Sequence, residues 1–104
     1  MIRIVEILIP PEVEEKLWSK HGITQWDVQQ AVFHPESEAR WDLDDEHGGR
    51  VVVRGWTAET QPRLVFIALR PLDLDRGIWA CITAFVPDDK DYGAHEGRTD
   101  DGHP

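Results

Sequence analysis

The sequence contains a single cysteine, Cys81, which excludes an internal disulfide and a zinc site built from cysteines. Its place inside an apolar run indicates a small buried hydrophobic residue and not a nucleophile. Long hydrophobic runs are also missing, because the longest, Ile78 to Val86, has nine residues and includes Thr83. This is about half the length that a membrane-spanning helix requires. We therefore expect a cytoplasmic protein that makes no membrane contact.

Positive charge is scarce, since 20 acidic residues stand against 11 basic ones and the formal net charge is −9. Non-specific affinity for nucleic acid comes largely from neutralised phosphates, so this balance opposes it unless basic residues gather locally. Motifs of several enzyme classes are missing too, including a glycine-rich phosphate loop and a Gly-x-Ser-x-Gly elbow. We expect no cofactor.

An acidic run from Asp42 to His47 is the one stretch that resembles a metal loop. The EF-hand pattern fails in it, because His47 and Val53 occupy the positions that require glycine and glutamate. The run is more typical of a solvated hairpin turn, so we expect no metal site.

The length and composition predict one globular domain, since 40% of the 104 residues are hydrophobic. We assign residues 1–87 to this domain. Residues 88–104 carry six acids and two bases, with a single aromatic residue, Tyr92. We interpret this segment as an acidic, disordered tail.

The strongest local pattern is a helical hairpin. Gly22 has the position of a helix C′ residue, where glycine adopts a left-handed conformation at little cost. Thr24 is placed to cap the next helix, and Asp27 three residues later nearly completes a capping box. Pro35 then ends that helix. The pattern predicts helices from about Pro11 to Lys20 and from about Gln25 to Phe33.

The rest of the chain alternates between apolar runs and turn residues, which predicts strands. These are Ile2–Ile9, a short Glu36–Trp41, Arg50–Thr57, Arg63–Arg70 and Ile78–Val86. Short connections favour antiparallel pairing. We therefore predict an α+β fold of two layers, in the order β-α-α-β-β-β(-β), with an antiparallel sheet covered on one face by the helical hairpin.

The run Lys20-His21-Gly22-Ile23, followed by a capped helix that ends at Pro35, resembles the helical hairpin of BrnT-type toxins. These are small proteins of the RelE/ParE superfamily of toxin–antitoxin systems, and a related small domain family of unknown function shares the pattern. The resemblance extends more weakly over residues 2–86. It implies a RelE-like fold, a cognate antitoxin as partner, and a metal-independent ribonuclease that cleaves mRNA through attack of a 2′-hydroxyl on phosphate.

The resemblance also implies which residues act. Lys20 and His21 would lie near the RNA and move protons, although cations are favoured at any helix C-terminus. Arg50, Arg63 and Arg70 match the family's basic positions at strand ends and would bind phosphate through their guanidinium forks. For each arginine the alternative is an ordinary solvated residue at a strand end.

Arg54 and Trp56 form a further candidate group, because strand alternation puts them on one face with Arg50. Trp79 and Phe85 would join that face if the register of the last strand allows it. Such a surface suits RNA bases and phosphates, and equally a partner protein or a second copy of the chain.

The chain departs from the family at its last strand. The family has an arginine and further basic residues there, whereas this chain has Phe85 and then acids from Asp88. Together with the acidic balance and five tryptophans, this departure motivates an alternative function. In that alternative, the chain is a non-catalytic RelE-fold binding module that pairs with a partner protein or with itself.

Overall fold

In the computed structural model, the described residues are 2–44 and 48–87, and they form five strands and two helices. In chain order these are β1 (Glu6–Leu8), α1 (Pro11–His21), α2 (Gln25–Val32), β2 (Glu38–Asp44), β3 (Gly48–Trp56), β4 (Leu64–Asp73) and β5 (Ile78–Phe85). The predicted α+β class is confirmed. The expected tail and the second half of the acidic run, residues 45–47, lie outside the described residues.

The hairpin turn forms as the sequence predicts. Pro11 opens α1, where its missing N–H costs nothing, and Gly22 ends it in the left-handed conformation with φ = 65°. Thr24 and Asp27 form a complete capping box at the start of α2, with both N–H···O distances at 3.0 Å. Neither helix in the described part of the chain is long and apolar enough to cross a membrane.

The sheet has the strand order β1-β5-β4-β3-β2. Strands β2 to β5 are antiparallel neighbours, as predicted, but β1 pairs with β5 in parallel, so the sheet is mixed. The expectation of a wholly antiparallel sheet is therefore wrong at this edge. Short loops impose antiparallel pairing only on consecutive strands, whereas β1 leads into two helices before β2 begins.

One face of the sheet is covered by α1 and α2, and the core lies between these two layers. On β3 this face carries Val51, Val53 and Gly55, which pair with Leu69, Ile67 and Val65 of β4. All six residues are buried. Val28, Ala31 and Val32 form a buried stripe on α2 that packs against them. We call the other side of the sheet the open face.

Several strand boundaries differ from the prediction. Strand β1 starts only at Glu6, because the N–H groups of Val5 and Glu6 both donate to the carbonyl of Gly77 instead of forming a regular ladder. Strand β4 continues past Arg70 to Asp73, with an irregular register after Pro71, which has no N–H to donate.

Candidate functional site

The open face is organised in rows that the register defines. One row crosses β2 to β5 through Glu38, Arg54, Phe66 and Phe85. The Phe66 and Phe85 rings are stacked, with centroids 5.4 Å apart and an interplanar angle of 9°. Phe85 therefore belongs to the open face, and it extends the apolar part of the row beside the Arg54 guanidinium.

Trp56 lies next to this row. Its ring centroid is 5.6 Å from the guanidinium carbon of Arg54 and 5.7 Å from the ring centroid of His34. Trp79, in contrast, is not part of the open face. It is 1% exposed in the core, and its Nε1–H donates to the carbonyl of Arg3 over 2.7 Å.

A second row crosses the other end of the open face. Asp42 pairs with Arg50, and Arg70 pairs with Ala80. Because Val51 pairs with Leu69, Arg50 stands opposite Arg70. The two predicted phosphate-binding arginines are thus neighbours across β3 and β4.

A cavity of ≈ 660 Å³ lies beside these arginines, and both of them line it. Its other lining residues include Glu12 and Val13 from α1, and Cys81 and Ile82 from β5. The residues that line the cavity thus include two arginines, one glutamate and several apolar residues. An anionic group of phosphate type fits this combination of charges.

The open face is cationic although the chain is acidic. Among the described side chains of β2 to β5 it carries Arg40, Arg50, Arg54 and Arg70 against the carboxylates Glu38 and Asp42. Glu38 pairs with Arg54 at 3.0 Å and Asp42 with Arg50 at 3.1 Å. Among the residues whose side chains the structure describes, 2–42 and 49–87, Arg40 and Arg70 have no ion-pair partner. At physiological ionic strength, salt screens the interaction between surface charges that are more than about 8 Å apart. These arginines can therefore attract an anion close to them whatever the net charge of the chain.

Arg63 lies apart from the other arginines. It lies seven positions before Arg70, or about 23 Å along an extended strand. Its Nη2 donates to Asp27 over 3.0 Å, and its Nε donates to Glu59 over 3.2 Å. These bonds attach the start of β4 to the first turn of α2, which indicates a structural role for Arg63.

Lys20 and His21 are exposed in the last turn of α1. Glu12, which lines the cavity, lies eight residues before Lys20, or about 12 Å along the helix axis. Of the five predicted catalytic residues, the structure therefore brings together Arg50 and Arg70 and leaves Lys20, His21 and Arg63 outside the cavity.

Two residues of the site are missing from the sequence-based set. In the sequence, Glu12 is notable only for its place at the favourable end of the helix dipole, and His34 only for its place before Pro35 at the end of α2. The structure puts Glu12 in the cavity and His34 against Trp56. No local pattern identifies either residue, because both contacts depend on how distant strands are ordered in the sheet.

Cys81 lines the cavity but is not suited to nucleophilic chemistry. Burial raises the pKa of its thiol from 9.0 to about 11, because a thiolate loses its hydration there. The thiol is therefore neutral at physiological pH.

The raised pKa of Cys81 predicts a loss of stability at high pH. Between about pH 9 and 11 the unfolded chain releases this proton while the folded chain keeps it, so rising pH favours unfolding by up to about 2 kcal/mol. Urea unfolding at pH 8 and pH 10.5, with a reducing agent present, measures the change. In Cys81→Ala the decline should be smaller by that amount, and equal declines in both proteins would contradict a buried neutral thiol.

No protein-family model matches this sequence, and no curated protein matches it. Within the two described ranges, no three His, Cys, Asp or Glu side chains are grouped so that they could hold a metal ion. The open face offers guanidinium groups and aromatic rings, and the cavity beside it is also lined by Glu12 of α1.

Proposed function

We propose that this chain is a toxin-like protein of RelE type whose open face binds RNA and whose cavity cleaves it. The observation that carries the proposal is the gathering of four arginines on the open face of a chain with a net charge of −9. The exposed ring of Phe85 and the half-buried rings of Trp56 and Phe66 accompany these arginines. Guanidinium groups bind phosphate oxygens and aromatic rings stack on bases, so the surface has both contacts that a single strand of RNA offers.

The reaction begins with attack of a ribose 2′-oxygen on the adjacent phosphorus. The bond from phosphorus to the 5′-oxygen breaks, which leaves a 2′,3′-cyclic phosphate and a 5′-hydroxyl. Arg50 and Arg70 bind the non-bridging oxygens and stabilise the charge of the pentacoordinate transition state. A base accepts the 2′-hydroxyl proton, and the departing oxygen takes a proton from water.

Glu12 is the base that the cavity favours, because this residue lines the cavity together with both arginines. Lys20 and His21, the bases that the family resemblance implies, lie at the far end of α1. We therefore assign proton transfer to Glu12. Arg63 has a positioning role through Asp27, and Arg54 and Trp56 contact the strand of RNA beyond the cleaved phosphate.

Binding of a single-stranded RNA at several salt concentrations, followed by fluorescence anisotropy, tests the surface. In Arg50→Ala/Arg70→Ala we expect at least tenfold weaker binding, and a slope of log K against log salt that is smaller by about 1.4. Arg76→Ala is the matched control, because this side chain is 78% exposed in a loop outside the open face. Equal losses in both variants would contradict a specific arginine site.

Cleavage is tested on the same RNA by looking for 2′,3′-cyclic phosphate ends. We expect that EDTA does not prevent cleavage, that a 2′-deoxy nucleotide at the cut site does, and that Glu12→Gln lowers the rate with little change in affinity. Induced expression in bacteria should arrest growth, and Arg50→Ala/Arg70→Ala should restore it. Intact RNA and normal growth at good expression would exclude the ribonuclease.

A second candidate is a non-catalytic binding module, and the stacked pair of Phe66 and Phe85 favours it. Phe85 replaces a family arginine and is 42% exposed, so the row beside Arg54 is apolar where a ribonuclease would carry charge. Aromatic and arginine side chains are also the preferred anchors of protein interfaces. A cognate antitoxin is the partner we propose in either case. Binding of that protein without any RNA cleavage would support this candidate.

A further inference from the structure

Strand β2 lies at one edge of the sheet, and its outer side pairs with no other strand of the described residues. Its seven residues pair with β3 in an unbroken register, without a bulge or a proline. Among the described residues, no backbone hydrogen bond reaches this outer edge. The opposite edge strand, β1, has only three residues. Long, regular edge strands invite pairing with another strand, and native proteins usually shorten or interrupt them.

We propose that the outer edge of β2 pairs with β2 of a second copy of this chain, antiparallel and around a two-fold axis at Trp41. Trp41 is the middle residue of Glu38–Asp44, so this register uses the full length of the strand. The two five-stranded sheets then join into one sheet of ten strands. The inference does not depend on RNA binding.

The charges of β2 fit this register. With Trp41 on the axis, Arg40 of each copy stands opposite Asp42 of the other, which gives two pairs of opposite charge. Arg40 has no ion-pair partner within residues 2–42 and 49–87. Among the described side chains, Asp42 accepts only through Oδ2, from Arg50 at 3.1 Å, so its Oδ1 can accept from a second guanidinium.

An axis at Arg40 is disfavoured, because it would put the two copies of Arg40 opposite each other and Glu38 opposite Asp42, so that these facing charges are of like sign. The register centred on Trp41 instead places opposite charges at the two positions next to the axis, where Arg40 of each copy meets Asp42 of the other.

Trp41 marks the axis through its backbone position. Its ring lies against buried Trp79 of β5, with centroids 5.7 Å apart, so the side chain leans over the covered face and away from the outer edge of β2. The contacts across the axis are therefore the backbone ladder and the charge pairs of Arg40 and Asp42.

The axis is perpendicular to the sheet, so both open faces lie on the same side of the joined sheet. Their rows of arginines would then run across both copies.

Sedimentation at concentrations up to about 100 μM, which detects any dimer with a Kd tighter than this, tests the pairing. The native chain should sediment as a dimer. Arg40→Asp and Asp42→Arg should each dissociate at least about tenfold more readily, because each creates two pairs of like charge. When the two variants are mixed in equal amounts, both central pairs of a mixed dimer join a carboxylate of the first variant to a guanidinium of the second. A heterodimer should therefore form.

Two control variants show whether a loss of dimer comes from the outer edge of β2 or from a change elsewhere in the chain. Arg50→Ala loses the same internal ion pair as Asp42→Arg without changing the edge, so it should remain dimeric. Arg76→Asp reverses a charge far from β2 and should also remain dimeric. A native monomer at every concentration, a dimer that Arg40→Asp does not weaken, or a mixture that stays monomeric would overturn the proposal.

Amide hydrogen exchange tests the pairing of β2 on the native chain, without any variant. Dilution of the dimer should speed exchange at alternate amides of β2, those directed away from β3, and leave the amides of β4 unchanged. Exchange in β2 that does not depend on concentration would equally overturn the proposal.

Discussion

Replacing Gly55 by alanine is expected to lower the free energy of unfolding by about 3 kcal/mol or more, or to prevent folding altogether. A Cβ atom at this position would lie 1.9 Å from the carbonyl oxygen and 2.6 Å from the carbonyl carbon of Ala31. Both are backbone atoms, so no side-chain rotation relieves the contact. Helix α2 would have to move away from β3, and the contacts of its buried stripe would weaken.

Gly22→Ala is the matched control for Gly55→Ala. Gly22 has φ = 65°, but no atom lies within 4 Å of a Cβ placed there. The cost is then that of a left-handed residue with a side chain, about 1 to 2 kcal/mol. Urea unfolding of both variants measures the difference. Equal losses would mean that α2 does not approach β3 as closely as described.

The two glycines also show how far the sequence predicts this fold. The role of Gly22 can be predicted because the helix end, the glycine and the next N-cap are adjacent in the sequence. For Gly55, strand alternation shows only that it shares a face with Val51 and Val53. Ala31, which approaches it closely, lies 24 positions earlier in the chain, and alternation within a strand gives no information on such a distant contact.

The parallel pairing of β1 with β5 escapes prediction for the same reason. Loop lengths decide the direction of consecutive strands, and they predict β2 to β5 correctly. Strand β1 is placed by the two helices that follow it, and by the free edge that β5 offers. The consequence reaches the site, because α1 starts directly beyond β1 and brings Glu12 to the cavity with Arg50 and Arg70.

The sequence likewise predicts the position of some arginines and not of others. Alternation along β3 correctly puts Arg50 and Arg54 on one face. It contains no information on Arg63, whose partner Asp27 belongs to another layer. The net charge is equally uninformative, since it sums both sides of the molecule. Only the register separates the open face, where arginines exceed carboxylates, from the remaining acidic surface.

Replacing Asp27 by alanine is expected to lower the free energy of unfolding by about 3 kcal/mol. Its Oδ2 accepts two hydrogen bonds of 3.0 Å, from the N–H of Thr24 and from Nη2 of Arg63, and the residue is only 9% exposed. Loss of half the capping box costs about 1 kcal/mol. Loss of a charge-assisted bond to a half-buried guanidinium adds about 1.5 to 3 kcal/mol.

Three further variants separate the contributions of the cap and of the ion pair to this loss of stability. Thr24→Ala, which removes only the cap, should cost about 1 kcal/mol. Glu59→Ala, which removes only the more exposed partner of Arg63, should cost less than about 0.5 kcal/mol. Arg63→Ala should couple to Asp27→Ala by about 1 kcal/mol or more in a double-mutant cycle, since the two side chains are in direct contact.

The same variants decide what Arg63 does. If it is structural, Arg63→Ala lowers stability but leaves RNA affinity, measured well below the unfolding temperature, close to that of the native chain. Weaker binding with unchanged stability would return Arg63 to the phosphate-binding residues and contradict the assignment made from its bonds to Asp27 and Glu59. Growth assays alone do not distinguish the two roles, because an unfolded chain and an inactive one both permit growth.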